Sequence, residues 1–308
     1  MTKYLSLEEQ YWKQKSGFKW YTEGDRNTSF YHNYVTGKTK KLHMARINDG
    51  DRHWLDNMEN IKKESVRFYQ NQFSQEGESN NFEILKHVPS MISYEKNMSL
   101  YAYPSKEEVK QAVFALSGDS VGGPEGYRVV HGRMENILPS LISSKQSGFV
   151  KGRSIFKNIL LTQEIVSDIK IRGKPANIVV KLDMAKAYDK VSSKYLFHVL
   201  RSMGFEENFL NLIGRLISNK CYFILLKGQT TGFFKSTRGV KQGDPLSPTL
   251  FLLSVEVLLR ALNSLFDNTA YVGYGMPKWS NPLNHLAYAN GTIIFVSAHT
   301  HSLQVWEY

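Results

Sequence analysis

The stretch from His285 to Ala298 constrains the fold more than any other part of the chain. Two runs of strand-forming residues flank Ala289-Asn290-Gly291. Asn-Gly is the strongest short hairpin signal, because both residues tolerate the positive φ of a type I′ turn. The sequence therefore predicts a hairpin with Asn290-Gly291 at its tip. Two other stretches upstream, 179–191 and 238–248, decide what that hairpin is for.

Residues 178–182 form a short β-branched run that ends at Asp183, and 185–189 begin a helical stretch. A carboxylate at the end of a buried strand is the usual place for a metal ligand in an α/β site, since the strand fixes it and the sheet mouth exposes it. An aspartate there also serves to cap the next helix, so both readings stand. Residues 222–226 and 232–235 read as strands. Arg238-Gly239-Val240-Lys241-Gln242-Gly243-Asp244-Pro245-Leu246-Ser247-Pro248 is a rigid basic loop, its prolines and glycines setting the backbone while Arg238, Lys241 and Gln242 supply donors. The apolar helix predicted over 250–265 is buried. Loop, helix and hairpin, in that order, place three functional edges around one sheet.

Residues 7–15 read as a short amphipathic helix. Basic and aromatic residues then interleave through Phe18, Lys19, Trp20, Tyr21, Arg26, Phe30, Tyr31, Lys38, Lys40 and Lys41. That mixture suits nucleic acid, since cations hold phosphates and rings stack on bases; a small local aromatic core is the other reading. Short strands over 42–47 and 52–55 flank the turn Asn48-Asp49-Gly50-Asp51. Asn57 caps a helix through Phe73 with Ile61, Phe68, Tyr69 and Phe73 on one side. Residues 75–81 are a linker. Ser105 with Glu108 makes a capping box for a helix carrying Val109, Ala112, Val113 and Leu116. That helix stops before Gly122-Gly123-Pro124-Glu125-Gly126, which no helix is expected to cross. Lys151-Gly152-Arg153 is a basic turn before a helix containing Ile159, Leu160 and Ile165.

Lysine and arginine exceed aspartate and glutamate by 39 to 28, a net +11 spread along 308 residues. Such a spread fits an extended polyanionic partner or simply a basic surface. The one cysteine, Cys221, excludes a disulfide framework and a cysteine-cluster zinc site, and its neighbours Tyr222, Phe223 and Ile224 point to a buried thiol. The longest apolar run, 249–262, is broken by Glu256 and Arg260 and is too short to span a bilayer. With no signal peptide at 1–24, the expectation is an intracellular, non-secreted chain without a membrane partner.

Val180-Lys181-Leu182-Asp183-Met184-Ala185-Lys186-Ala187-Tyr188-Asp189 resembles the first catalytic motif of reverse transcriptases from plant non-LTR (LINE-type) retrotransposons. Gln146-Ser147-Gly148-Phe149-Val150-Lys151-Gly152-Arg153 is similar to the block that precedes it in that family. Arg238 to Pro248, followed by Leu250-Phe251-Leu252-Leu253, resembles the motif that contacts nucleotide and template. The blocks come in family order, and the blocks at 11–16 and 23–28 fit as well. The resemblance implies an α+β fold with a reverse-transcriptase-like palm, an antiparallel sheet backed by helices, behind an N-terminal helix and hairpin region. It implies an RNA-directed DNA polymerase that transfers nucleotides with two Mg²⁺ ions on a template-primer of RNA or DNA. In those terms Asp183 is the first metal ligand and Tyr188 the aromatic gate beneath the sugar. Gln242 and Gly243 lie beside the incoming nucleotide, Gly243 because a side chain would obstruct close approach. Arg153, Arg238 and Lys241 contact the nucleic-acid backbone, while Asp189 and Asp244 orient their own loops.

Three departures accompany the resemblance. The family pattern at the hairpin is aromatic-Ala-Asp-Asp; here it is Tyr288-Ala289-Asn290-Gly291, a neutral amide and no side chain in place of two acids. Gly123-Pro124-Glu125-Gly126 runs almost directly into Ile137-Leu138-Pro139, where the family places several dozen residues of fingers. The chain ends at Tyr308, soon after the hairpin, so the thumb is expected to be absent, and no endonuclease is expected before Met1. The sequence thus predicts a basic N-terminal region over 1–75, a junction over 76–133 and a palm core over 134–308. It predicts a truncated, degenerate and catalytically inactive copy that binds no Mg²⁺ productively, the alternatives being a non-catalytic nucleic-acid-binding protein or a chain that does not fold stably.

Overall fold

A computed structural model describes residues 44–74, 81–114, 125–167, 169, 176–218, 220–227, 229–241, 243–276 and 280–304. The expected helix over 7–15, the basic aromatic segment 18–41, most of the linker and Gln242 lie outside the described residues. In chain order the elements are β1 (Ile47–Asn48), β2 (Trp54–Leu55), α1 (Met58–Phe73), α2 (Tyr94–Tyr101), α3 (Lys106–Phe114), α4 (Glu125–Leu141) and α5 (Ile155–Ser167). Then follow β3 (Asn177–Asp183), α6 (Ala187–Lys190), α7 (Ser193–Ser202), α8 (Glu207–Ser218), β4 (Cys221–Leu226) and β5 (Gln229–Lys235). The last are α9 (Leu246–Ser264), β6 (His285–Tyr288), β7 (Gly291–Ser297) and α10 (Thr300–Gln304). The chain divides into one unit of Met1–Asn71 with Cys221–Lys235 and a second of Gln72–Lys220 with Ser236–Tyr308.

In the first unit β1 and β2 pair antiparallel around the expected turn, where Asp49 Oδ1 accepts from Asp51 N and His53 N. Asn57 Oδ1 accepts from Glu59 N at 2.9 Å, which starts α1. Of the apolar side expected on α1, Ile61 is buried, while Phe68 and Tyr69 are exposed and meet each other edge to face at 5.3 Å. β4 and β5 form the second hairpin of this unit, with Tyr222 opposite Phe234. Cys221, expected to be buried, is exposed on it, because the strand's alternation turns its position outward.

The second unit is built around α9. This helix begins at Leu246, directly after Pro245, so Pro248 stands in its first turn, where a missing N–H costs little, and not in the loop as expected. With the 3₁₀ turn Leu265–Asp267 it makes a 22-residue stretch long and apolar enough, by length and composition alone, to cross a membrane; the expected upper bound on its length was too low. Its residues from Leu246 to Leu262 are instead largely buried against α4, α7 and α6. α8 is amphipathic by spacing and buries Phe209, Leu210, Ile213 and Ile217. Ser192 Oγ caps α7 by accepting from Tyr195 N, and the box predicted at Ser105 and Glu108 forms in both directions, at 2.9 and 3.1 Å.

Among the described residues α4 begins at Glu125, so Glu125 and Gly126 open a helix and are not crossed by one. A Gly-Pro pair marks a helix start as readily as an end, since the first turn needs no N–H from its leading residues. α4 also runs through the boundary expected between 133 and 134. The sheet has the order β3-β7-β6, antiparallel throughout. α5 lies on β6 with its polar side inward: Asn158 Nδ2 donates to Lys145 O, and Thr162 Oγ1 hydrogen-bonds Tyr288 Oη. Its Ile155, Phe156, Ile159 and Leu160 face solvent.

Buried charge sets the pH response of this unit. Glu256 is fully buried on α9; Ser143 N donates to its Oε2 at 2.9 Å. The Arg260 guanidinium lies 2.9 Å from Oε1 but is poorly aligned for a hydrogen bond, so that contact is electrostatic. Burial pushes the carboxyl from 4.5 up to about 7, against the pull of Ser143 N, Arg260 and Arg153. Burial, reinforced by Lys145, holds His285 down from 6.5 to about 3. Folded Glu256 keeps a proton that the unfolded chain has lost, so stability falls as pH rises from 4.5 to 7. His285 stays neutral where the unfolded chain binds a proton, so stability is lost as pH falls from 6.5 toward 3. The two slopes oppose each other where the windows overlap. Urea denaturation of wild type between pH 5 and 6.5 is expected to be nearly flat, while Glu256→Gln gains about 2 kcal/mol across that window. A flat profile for the variant would refute the assignment.

Candidate active site

β3 delivers Asp183 to its end, and in the register of β3 with β7 Asp183 stands opposite Gly291. Directly opposite residues of an antiparallel pair project on the same face, about 5 Å apart at Cβ. The carboxylate is exposed, and the neighbouring Met184 N donates to Asn290 O at 3.3 Å. The expected hairpin is present, with its turn one residue earlier than predicted. Tyr288 pairs with Gly291, so the two turn residues are Ala289 and Asn290, and Gly291 is the first residue of β7. Positive φ falls on Ala289, at 64°, and on neither Asn290 nor Gly291.

A buried amide holds this turn. Gln146 Oε1 accepts from Ala289 N at 2.8 Å and from Gly148 N at 2.9 Å, and Gln146 Nε2 donates to Ala289 O. Ser147 N donates to Ala287 O and Ala287 N to Lys145 O, so the segment before α5 lies along β6 like an added strand. Gly148 is required by contact: a Cβ there would stand 2.5 Å from Ala289 N and 2.8 Å from Ala289 Cβ. The clamp was not legible beforehand, although the Gln-x-Gly spacing marks it.

The other expected residues sit on the loop beside α6. Val240 N donates to Tyr188 O and Gly239 N to Val191 O, and Gly239, at φ 87°, approaches Asp189 too closely for a side chain. Tyr188 is half-buried and stacked on Phe251 at 5.1 Å, which raises its phenol through burial. Asp244 Oδ1 accepts from Leu246 N and starts α9, as expected of a loop-orienting acid. Asp189 accepts from Gln72 Nε2 at 3.2 Å. Gly243 has open space where a Cβ would be, and its φ of 86° itself favours glycine. Lys241 is exposed. Arg238 Nε donates to Gln72 O at 2.7 Å. Arg153 donates to Pro139 O, Ile142 O, Ser143 O and Gln146 O, so its guanidinium caps the end of α4 where a phosphate contact was expected. A cavity of about 570 Å³ opens beside Asp183 between Met184, Val191, Tyr195, Phe251 and Leu258.

The donor set does not fit a pair of divalent ions. Mg²⁺ takes hard, charged oxygens, and the partners facing Asp183 are a glycine and an exposed asparagine. Among the described residues, three close metal-ligating side chains occur at Asp49, Asp51 and His53, in the exposed β1–β2 turn of the other unit.

Residues 126–307 match the family model "Reverse transcriptase (RNA-dependent DNA polymerase)". The Pol polyprotein of the type-1 retrotransposable element R2 of Popillia japonica is 35% identical over 106 residues, 34% of this chain and 17% of that protein. The transposon TX1 149 kDa protein of Xenopus laevis is 29% identical over 127 residues, 41% of this chain and 10% of that protein. The apo telomerase structure of Candida tropicalis aligns with 99% of this chain and 57% of its own, at 12% identity and TM-score 0.43. The chain belongs to the reverse transcriptase family. Its domain is homologous to those of non-LTR retrotransposon Pol polyproteins, and it spans less than a fifth of the length of these two relatives.

Proposed function

We propose that the chain is the palm of a plant LINE-type reverse transcriptase that has lost nucleotidyl transfer and keeps affinity for nucleic acid inside the cell. The observation that carries this reading is Asp183 standing opposite Gly291, with Asn290 at the tip. Charge stabilisation by each metal is worth several kcal/mol, and each ~1.4 kcal/mol forfeited lowers the rate tenfold. Tyr188, Gln242 and Gly243 remain on the nucleotide side of the reading, and Lys241 on the template side. Arg153 and Arg238 serve it by holding the scaffold. The short passage from Gly126 to Ile137 supports a deletion of the fingers.

Primer extension and gel shift on one preparation test the proposal. No template-dependent incorporation is expected with Mg²⁺ or Mn²⁺, together with RNA binding that weakens steeply as salt rises. Template-dependent incorporation would overturn the loss of activity, and failure to bind at low ionic strength would overturn the retained affinity.

A further inference from the structure

We propose that the outward face of the β4–β5 hairpin is a stacking platform for single-stranded nucleic acid, an inference that rests on the retained affinity proposed above. An antiparallel pair ordinarily turns one face to the core and a polar face to water. Here the inward positions are Tyr222, Ile224, Leu226 and Phe234, with the Tyr222 and Phe234 rings stacked at 5.9 Å. Gly232 lets the hairpin close on α1, since a Cβ there would stand 2.3 Å from Val66 Cγ2. The outward positions are nevertheless apolar: Phe223, Leu225 and Phe233 are 61%, 67% and 70% exposed. Tyr222 pairs with Phe234 and Ile224 with Thr231, with a register shift between them. Phe223 and Phe233 therefore fall in the same interval of the ladder on facing strands.

Charge selects the partner. Lys227 stands at the hairpin tip with φ 50°, and Lys235 lies opposite Cys221. No aspartate or glutamate occurs within the hairpin, Cys221–Lys235. Exposed apolar area by itself would serve a protein partner equally well. Two exposed rings with lysines at both ends of the hairpin, and no acid within the hairpin itself, match a flexible polyanion with π faces. A duplex offers no such faces along its length, so the platform takes single strands.

Cys221, the chain's one cysteine, is exposed on the same hairpin and reports on it without engineering. Fluorescein-labelled oligo(U) of about twenty nucleotides is titrated at low ionic strength, and maleimide alkylation of Cys221 is timed with and without unlabelled oligo(U). Protection of Cys221 is expected. Phe223→Ala with Phe233→Ala is expected to weaken binding about tenfold or more and to abolish protection, given the affinity that stacked bases contribute. Phe223→Trp with Phe233→Trp should keep both, and Phe223→Leu with Phe233→Leu should lose both. Both rings are exposed, so thermal transitions of the variants should coincide with wild type. A leucine variant that binds like wild type overturns the platform, as does self-association of the protein that depends on these rings while oligo(U) affinity does not. If oligo(U) binds and nothing changes in any ring variant, the platform fails and the retained affinity stands. If wild type does not bind oligo(U), both fail.

Discussion

Asn290→Asp with Gly291→Asp is expected to give the protein a divalent-cation response and still no DNA synthesis. Gly291 has an ordinary strand backbone, and a Cβ built there meets nothing nearer than Leu182 O at 4.0 Å. An aspartate therefore fits, directly across the ladder from Asp183. Like charges so placed repel, and without a cation the double variant should lose up to about 1 kcal/mol. A bound cation reverses the sign: at a hundred times its Kd it stabilises the fold by about 2.7 kcal/mol. Thermal unfolding with and without Mn²⁺ should thus separate the variant from wild type, which should not respond at this site. Absence of any cation-dependent shift would show that the register does not bring the two acids together. Synthesis should stay at background if the fingers are deleted as proposed above, because restored acids do not replace them; template-dependent incorporation by the variant would overturn that proposed deletion as a cause of inactivity.

Gln146→Ala should be among the most destabilising single changes in the second unit. It removes the acceptor shared by Ala289 N and Gly148 N and the donor to Ala289 O. Buried amides left unpaired cost about 1–3 kcal/mol each, so a loss of about 3 kcal/mol or more is expected in urea denaturation. Gly148→Ala should lose a similar amount, since its Cβ collides with backbone that cannot move without moving the turn. Ala289→Gly should act in the opposite direction, gaining roughly 1 kcal/mol by relieving the positive φ. Losses below about 0.5 kcal/mol in both of the first two variants, the range of an ordinary surface change, would mean that the turn does not depend on the clamp.

What the sequence made legible was local. The capping box at Ser105, the Asn57 start of α1, the strand ending in Asp183 and the hairpin before residue 298 follow from neighbours a few residues apart, and the structure contains them. What was not legible depends on distant partners. The turn chemistry of Asn290-Gly291 pointed to those two residues, but an amide 143 positions away fixes the turn at Ala289 and Asn290 instead. The helix carrying Ile159, Leu160 and Ile165 gave no sign of which side it buries; Asn158 and Thr162 are what β6 receives, because its carbonyls and the Tyr288 hydroxyl need polar partners. Glu256 and Arg260 read as interruptions in an apolar run; their spacing of four was the signal that they meet at the end of α4. The resemblance assigns Arg153 to the nucleic-acid backbone, and nothing local in sequence marks the carbonyls at the end of α4 to which it donates.

The clamp on the hairpin also bears on how such a domain ages. The contacts that hold the turn fall on Gln146, Gly148 and the backbone of Ala289, whereas the resemblance places the family's acid pair at the next two positions. Asn290 is exposed and Gly291 sits in unstrained strand, so neither position is demanding for the fold. Substitution at positions 290 and 291 is therefore expected to be nearly silent to stability, so under the loss of activity proposed above the chemistry is shed before the fold.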